Sequence, residues 1–406
     1  MGDEASPTGS GPLADVLVLD IATFIAAPFC GTLLAEYGAD VIKIEQPGQG
    51  DTLRRFGTPV EGADTLVWAS EARNKRSMTL DLRTSEGRDI LLKLVAQSDV
   101  VLENFRPGTL EKWGLGFDAL CAANPRIIVL RVSGYGQTGP MRSKPGFARI
   151  AHAFSGLAYL AAEPGGKPVV PGSTSLADYM TGLFSAVAVL VALRHVERTG
   201  EGQEIDIALY ESVFRVLDEM ASVYAHAGLQ REPLGADTVN AVPHSHYQAR
   251  DGAWVAIACT TDRMWQRLAK SIGVPGLDQD ERYATSKDRE RFRERINAIV
   301  ADWVGRHDAS EVVTICDSFE APAARLMTIS EIFEDPQFAA RGNLMTVHDP
   351  RIGDIVVPAP LPRMSRTPPR IVSTGPSLGN ATYDVLRDML GLTQAEIAVL
   401  AERGVI

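Results

Sequence analysis

The sequence predicts an α/β fold: a doubly wound, Rossmann-like large domain followed by a smaller α+β domain. Two observations carry this. Strand-like and helix-like periodicities alternate from Ala14 to Gly136, and a later block combines a hairpin pattern with charge-rich helix. A third is length, since 406 residues exceed what one hydrophobic core usually covers.

The elements follow in order. ADVLVL, from Ala14 to Leu19, is a short apolar run ended by Asp20, and DVIKI at 40–44 is a second. Between them APFCGTLLAEYGA has helical spacing and a stop at Gly38. A helix over 85–96 then precedes DVVLENF at 99–105, and helix-like segments precede RIIVLRVSGYG at 126–136. Repeated strand–helix–strand units favour a parallel sheet. No GxGxxG follows the first strand, which removes the main support for a dinucleotide cofactor.

A long apolar helix is expected from Asp178 to Arg198, stopping at Gly200, with EIDIALYES at 204–212 as a strand entering another helix. The polar stretch 225–245 reads as a linker. HYQARDGAWVAIAC reads as a hairpin about Asp251-Gly252. Helical sequence fills 262–320, the Pro- and Arg-rich 345–373 has little periodicity, and 381–400 returns to helix. The expected domains are 12–224, a large α/β domain, 225–330, the small domain, and 331–406, a linker and C-terminal return.

Composition narrows the function. Apolar residues are 45% and charged residues 22%, as in globular chains. A formal net charge of −11 lacks the basic footprint of nucleic-acid binding. An anionic ligand must then meet local Arg and Lys groups or helix N-termini. Cys30, Cys121, Cys259 and Cys316 form no CxxC pair, which favours a reducing compartment without structural zinc. MGDEASPTGSGP reads as a frayed tail, and Leu183–Leu193 is about half a bilayer span. A cytoplasmic protein without membrane segments is expected.

Five stretches, in this order and spacing, resemble the family III CoA-transferases (the CaiB/BaiF, formyl-CoA transferase-like group). They are AAPFCGTLLAEYGADVIKIEQPGQGDTLR from Ala26, NKRSMTLDLRTSEGRDILLKL from Asn74, DVVLENFRPGTLEKWGLGFDAL from Asp99, SGYGQTGP from Ser133, and SLADYMTGLFSAVAVLVALRHVERTGEGQEIDIALYES from Ser175. LRRFGTP, SEARNKRS, GFARIAHA and PGSTSLADYMTGL look most like the succinyl-CoA:L-malate and citramalate transferases, β subunits included.

The resemblance implies an interlocked homodimer, to which a paralogous α subunit is a further candidate partner. It implies acyl-CoA and a small carboxylic acid as substrates, with no permanently bound cofactor and no metal. It puts the nucleophile on Asp178, in SLADYMTG; from position alone this residue is also a good helix N-cap, where the dipole would keep it ionised. Asn74, Lys75, Arg76 and Arg106 are its candidate CoA phosphate contacts, with Asn104 and Gly108 shaping the turn that presents Arg106. Arg54 and Arg55 are candidates for the acceptor carboxylate and Tyr135 for the acyl pocket. Gln46 stands where the formyl-CoA transferase has an arginine.

Two other readings stay open. An α-methylacyl-CoA racemase would carry a histidine where GFARIAHAFSG has Phe147; His152, five residues on, reads as a structural histidine on an apolar helix. A non-catalytic acyl-CoA-binding subunit would have no need of Asp178. The pair His244 and His246 lacks a third metal ligand.

Overall fold

A computed structural model describes residues 11–170, 172 and 174–406. The first ten residues, most of the expected frayed tail, lie outside the described residues. Contacts divide the chain into two compact units, one of 11–157, 170–219 and 342–406, the other of 158–169 and 220–341. The second unit therefore takes in 331–341 and the excursion 158–169, which the sequence pattern assigns elsewhere.

The first unit is built on six parallel strands: β1 Leu17–Asp20, β2 Asp40–Glu45, β3 Lys75–Thr79, β4 Val100–Glu103, β5 Ile128–Ser133 and β6 Gln203–Ala208. Their order is β3-β2-β1-β4-β5-β6, that of a doubly wound nucleotide-binding sheet. The order reverses between β1 and β4, and there the carboxyl ends of the strands open a crevice.

Strands buried on both faces read as nearly continuous apolar runs, because alternate side chains enter different cores. Val18, Val41, Leu102 and Leu130 pack with the helices Ala26–Glu36 and Leu176–Thr199. Leu19, Ile42, Val101 and Val129 pack on the other side with Ser85–Val95, Phe117–Ala123 and the C-terminal residues Val385, Leu386 and Ile397. Each such burial stabilises by about 1.5–3 kcal/mol. The return of the chain thus completes one face of the sheet.

Leu176–Thr199 has two unlike sides. Thr181, Ser185, Val189 and Ala192 are buried, whereas Leu183, Phe184, Val187, Leu190 and Val191 are exposed. At 24 residues it is long and apolar enough, by length and composition, to cross a membrane, although its inner side belongs to the sheet core.

The second unit holds an antiparallel sheet of β7 His244–Gln248, β8 Trp254–Ala258 and β9 Ala323–Arg325, with the hairpin turn around Asp251-Gly252. Helices Asp262–Ile272, Arg293–Val304 and Ala309–Ser318 cover it, and Trp265, Tyr283, Ile296, Val300 and Trp303 fill its core. In the return, β10 Leu344–Asp349 and β11 Gly353–Pro358 form a hairpin inside the segment that shows little periodicity. The hairpin is largely half-buried or exposed, so few apolar alternations mark it.

Candidate active site

Three chain segments leave the carboxyl ends of strands and meet where the sheet order reverses. They are Thr23–Ala26 after β1, Asn104–Pro107 after β4 and Val132–Gly134 at β5; with Lys144–Phe147, Asp178 and Leu209 they line a cleft of about 190 Å³. Each wall has a local cause. The Asn104 amide clamps the β1 loop, accepting from the Thr23 backbone N–H at 2.8 Å and donating to the Thr23 carbonyl at 2.6 Å. Phe24 sits at φ +70°, a conformation that costs a bulky residue of order 1–3 kcal/mol, and its N–H donates to Asp51 at 2.9 Å. Gly108, at φ +85°, makes the turn that follows Arg106 and Pro107. Gly134 and Gly146 face each other so closely that a Cβ on either would lie 2.7 Å from the other's Cα, which lets the Lys144–Phe147 loop lie against the end of β5.

Asp178 is the third residue of its helix, whose N-cap is Ser175, so it is not the cap. One turn on, a Cβ at Gly182 would lie 2.9 Å from the Ala26 carbonyl oxygen, and only glycine lets this helix approach the first one so closely. Asp178 is 6% exposed, and among the described residues none donates a hydrogen bond to its carboxylate or forms an ion pair with it. Burial pushes its pKa up to about 7. The expected dipole effect, about 0.3–1 kcal/mol, is outweighed by a desolvation effect of order 4 kcal/mol. Asp178 is therefore not held firmly ionised, which corrects the expectation from its position.

Glu103 is also raised to about 7 by burial, against the lowering effect of Arg131, whose Nε lies 2.7 Å away. It accepts the Phe105 N–H at 2.7 Å and does not line the cleft. Geometry, not titration alone, singles out Asp178.

Arg106 and Lys144, both exposed, line the same cleft as Asp178. Of the candidate phosphate and carboxylate contacts named from sequence, Arg106 lines this cleft, and Asn74, Lys75, Arg76 and Arg54 lie elsewhere. Asn74, buried at φ +61°, donates to the Arg370 carbonyl at 2.7 Å and accepts the N–H groups of Val372 and Ser373. Lys75 is buried against Asp20 at 2.9 Å and the Pro28 carbonyl at 2.6 Å. Arg76 pairs with Asp40. Arg54 is buried, bonded through its Nη2 to Glu45 at 2.7 Å, and stacked on Trp68. These four bind chain to chain, and none lines the cleft.

Arg55 lines a second cleft of about 200 Å³ with Lys43, Gln46, Gly50, Arg83 and Trp113; Thr23 and Phe105 line both clefts. Tyr135 packs edge-on to Phe154 at 5.2 Å, behind Gly146 and away from the lining. Lys144 was missed from sequence, and the signal available was a lysine before Pro-Gly shortly after SGYGQTGP. His244 and His246 lie on β7, and no group of three metal-type ligands occurs among the described residues.

The family model described as CoA-transferase family III matches residues 13–382. The α subunit of succinyl-CoA–L-malate CoA-transferase from Chloroflexus aurantiacus is 50% identical over all of this chain and 96% of its own length. The β subunit from that organism is 52% identical over 97% of this chain and 98% of its own. A CaiB/BaiF family protein of known structure from Brucella suis superimposes with a TM-score of 0.81 at 33% identity, covering 93% of this chain and 99% of that one.

Proposed function

This chain belongs to CoA-transferase family III, and from that premise we propose that it moves CoA from succinyl-CoA to a dicarboxylate such as malate or citramalate, with Asp178 as nucleophile. The observation that carries the reading is a buried carboxylate with no cationic partner among the described residues, set in a cleft with two exposed cations at the switch point of the sheet. A desolvated carboxylate with its pKa raised toward neutral is a stronger nucleophile than a solvated one.

Asp178 attacks the thioester carbonyl. The C–S bond breaks, CoA leaves as thiolate, and a succinyl–aspartyl anhydride remains. The thiolate then attacks the aspartyl carbonyl, releasing succinate and leaving an aspartyl-CoA thioester. The acceptor carboxylate attacks that carbonyl, again expelling the thiolate, and thiolate attack on the acceptor carbonyl gives acceptor-CoA and free Asp178. Both anhydrides must be kept from water. Arg106 and Lys144 hold phosphate oxygens of CoA, because exposed cations at a cleft rim suit phosphates. Each cleft is smaller than the roughly 300 Å³ of a typical ligand site. One acyl-CoA occupies both, its thioester near Asp178 and its nucleotide toward Arg55.

The exposed apolar stripe Leu183, Phe184, Val187, Leu190 and Val191 is where a second copy, or a paralogous subunit, docks to form the dimer. A racemase reading would have a histidine where Phe147 stands in the cleft lining, and no histidine lines the cleft among the described residues. The test is incubation with succinyl-CoA, a panel of dicarboxylates and hydroxylamine, followed by mass spectrometry of the Asp178 peptide. A hydroxamate on Asp178 and a new acyl-CoA support the reading. Exchange of an α-proton without any adduct moves the chain to the isomerases.

A further inference from the structure

The helix that carries Asp178 begins without a cap from its own N-terminal residue. Ser175 holds the N-cap position, yet its side chain makes no capping bond. The acceptor comes instead from the helix Ala148–Phe154, where the His152 Nε2 accepts the Ala177 N–H at 3.0 Å. Ala177 immediately precedes Asp178. An accepting Nε2 carries no proton, so the ring is neutral with its hydrogen on Nδ1. Burial, and secondarily Arg149, lower the pKa of His152 and favour the same neutral form.

The ring is 1% exposed, and among the described residues its Nδ1 is buried with no hydrogen-bond partner. An unpaired buried donor costs about 1–3 kcal/mol, which a leucine in the same space would avoid. Packing alone therefore does not account for a histidine here. Nor would a carboxylate cap serve equally well. An aspartate in that role would set a second negative charge close to Asp178, whereas neutral imidazole satisfies the first turn without one.

We propose that His152 is a positioning residue: its neutral, Nδ1-protonated ring caps the first turn of the Leu176–Thr199 helix and so fixes the Asp178 carboxylate at the reacting thioester. This rests on Asp178 being the nucleophile. Glutamine offers an accepting Oε1 at similar reach and does not titrate, so it separates capping from size or charge.

The experiment compares wild type, His152→Leu, His152→Gln and Asp178→Asn for kcat, KM for succinyl-CoA, hydroxylamine trapping on Asp178 and Tm. His152→Leu is expected to lower kcat and the trapping rate together by about 10- to 100-fold, since small misplacements of a reacting group have effects of this size, with KM within about twofold. His152→Gln is expected to recover most of that loss. A full kcat in His152→Leu beside an inactive Asp178→Asn overturns the role of His152 alone; an active Asp178→Asn overturns the nucleophile reading beneath it. Should the leucine variant not fold, the wild-type enzyme labelled with 15N-histidine decides. With the His152 signal assigned by its loss in His152→Gln, an Nδ1-protonated neutral ring supports the inference, and an Nε2-protonated or cationic ring overturns it.

Discussion

Two buried carboxylates in the sheet unit, Asp20 and Asp178, have opposite surroundings. Asp20, at the end of β1, lies 2.9 Å from Lys75 and 3.5 Å from Lys43, and Lys43 is 2.9 Å from Asp51. Asp51 in turn bonds the Phe24 N–H and so holds the β1 loop in its left-handed turn. Asp178, which lines the same cleft as that loop, has no cation paired with it among the described residues. Burial with pairing makes a scaffold whose breakage is costly; burial without pairing leaves a group whose desolvation is relieved only by chemistry or by protonation.

The sharpest way to test this contrast is Asp178→Asn. Transfer should fall by about 10³- to 10⁶-fold, the range seen when a covalent nucleophile is removed, as read in the acyl-CoA exchange assay. The same variant should gain stability relative to wild type with rising pH. The folded pKa is about 7 against an ordinary value of 3.8, so the native carboxyl is no burden below both values and lowers stability progressively as pH rises from 3.8 to about 7, beyond which the loss is complete. Asp178→Asn should exceed wild type in stability by more at pH 8 than at pH 5, the extra margin being about 2–3 kcal/mol and read as a larger Tm difference. An equal Tm difference at both pH values would contradict the account of burial.

Lys75→Met probes the other carboxylate. It leaves Asp20 with Lys43 alone and should destabilise by about 3–5 kcal/mol, seen as a lower denaturation midpoint. A raised KM for succinyl-CoA with an unchanged midpoint would break the comparison and return Lys75 to phosphate binding. Arg106→Gln and Lys144→Gln should each raise that KM by about tenfold, as for loss of one charge-assisted hydrogen bond, with Tm unchanged because both side chains are exposed. Smallest of all is Tyr135→Phe. With its ring among Phe154 and Tyr210 and not in the cleft lining, kcat and KM should stay within about twofold.

Much of the scaffold was legible from sequence because it depends on local periodicity. The β1, β2, β4 and β5 runs are plain as apolar stretches, and the β7–β8 hairpin is marked by Asp251-Gly252. The hairpin β10–β11 escapes because its exposed strands alternate weakly. The helix starts two residues before the position its sequence pattern suggests. Capping therefore fell to Asp178 on sequence grounds, when the acceptor comes from His152, 25 residues away along the chain.

The sequence by itself determined the parallel α/β sheet, the resemblance that points to Asp178, and the glycine turn at Gly108 that follows Arg106. These are carried by period, glycine placement and motif order, all written within short stretches of chain. Only the tertiary structure decided which basic residues line the cleft. Lys75 meets Asp20 across 55 positions, and Asn74 meets the backbone of Ser373 across 299. A cation is free for phosphate only if folding brings it no carboxylate, and that depends on partners brought together by the packing of the sheet and of the returning chain. The raised pKa of Asp178 has the same origin, since desolvation is a property of everything packed around a group and not of its neighbours in sequence.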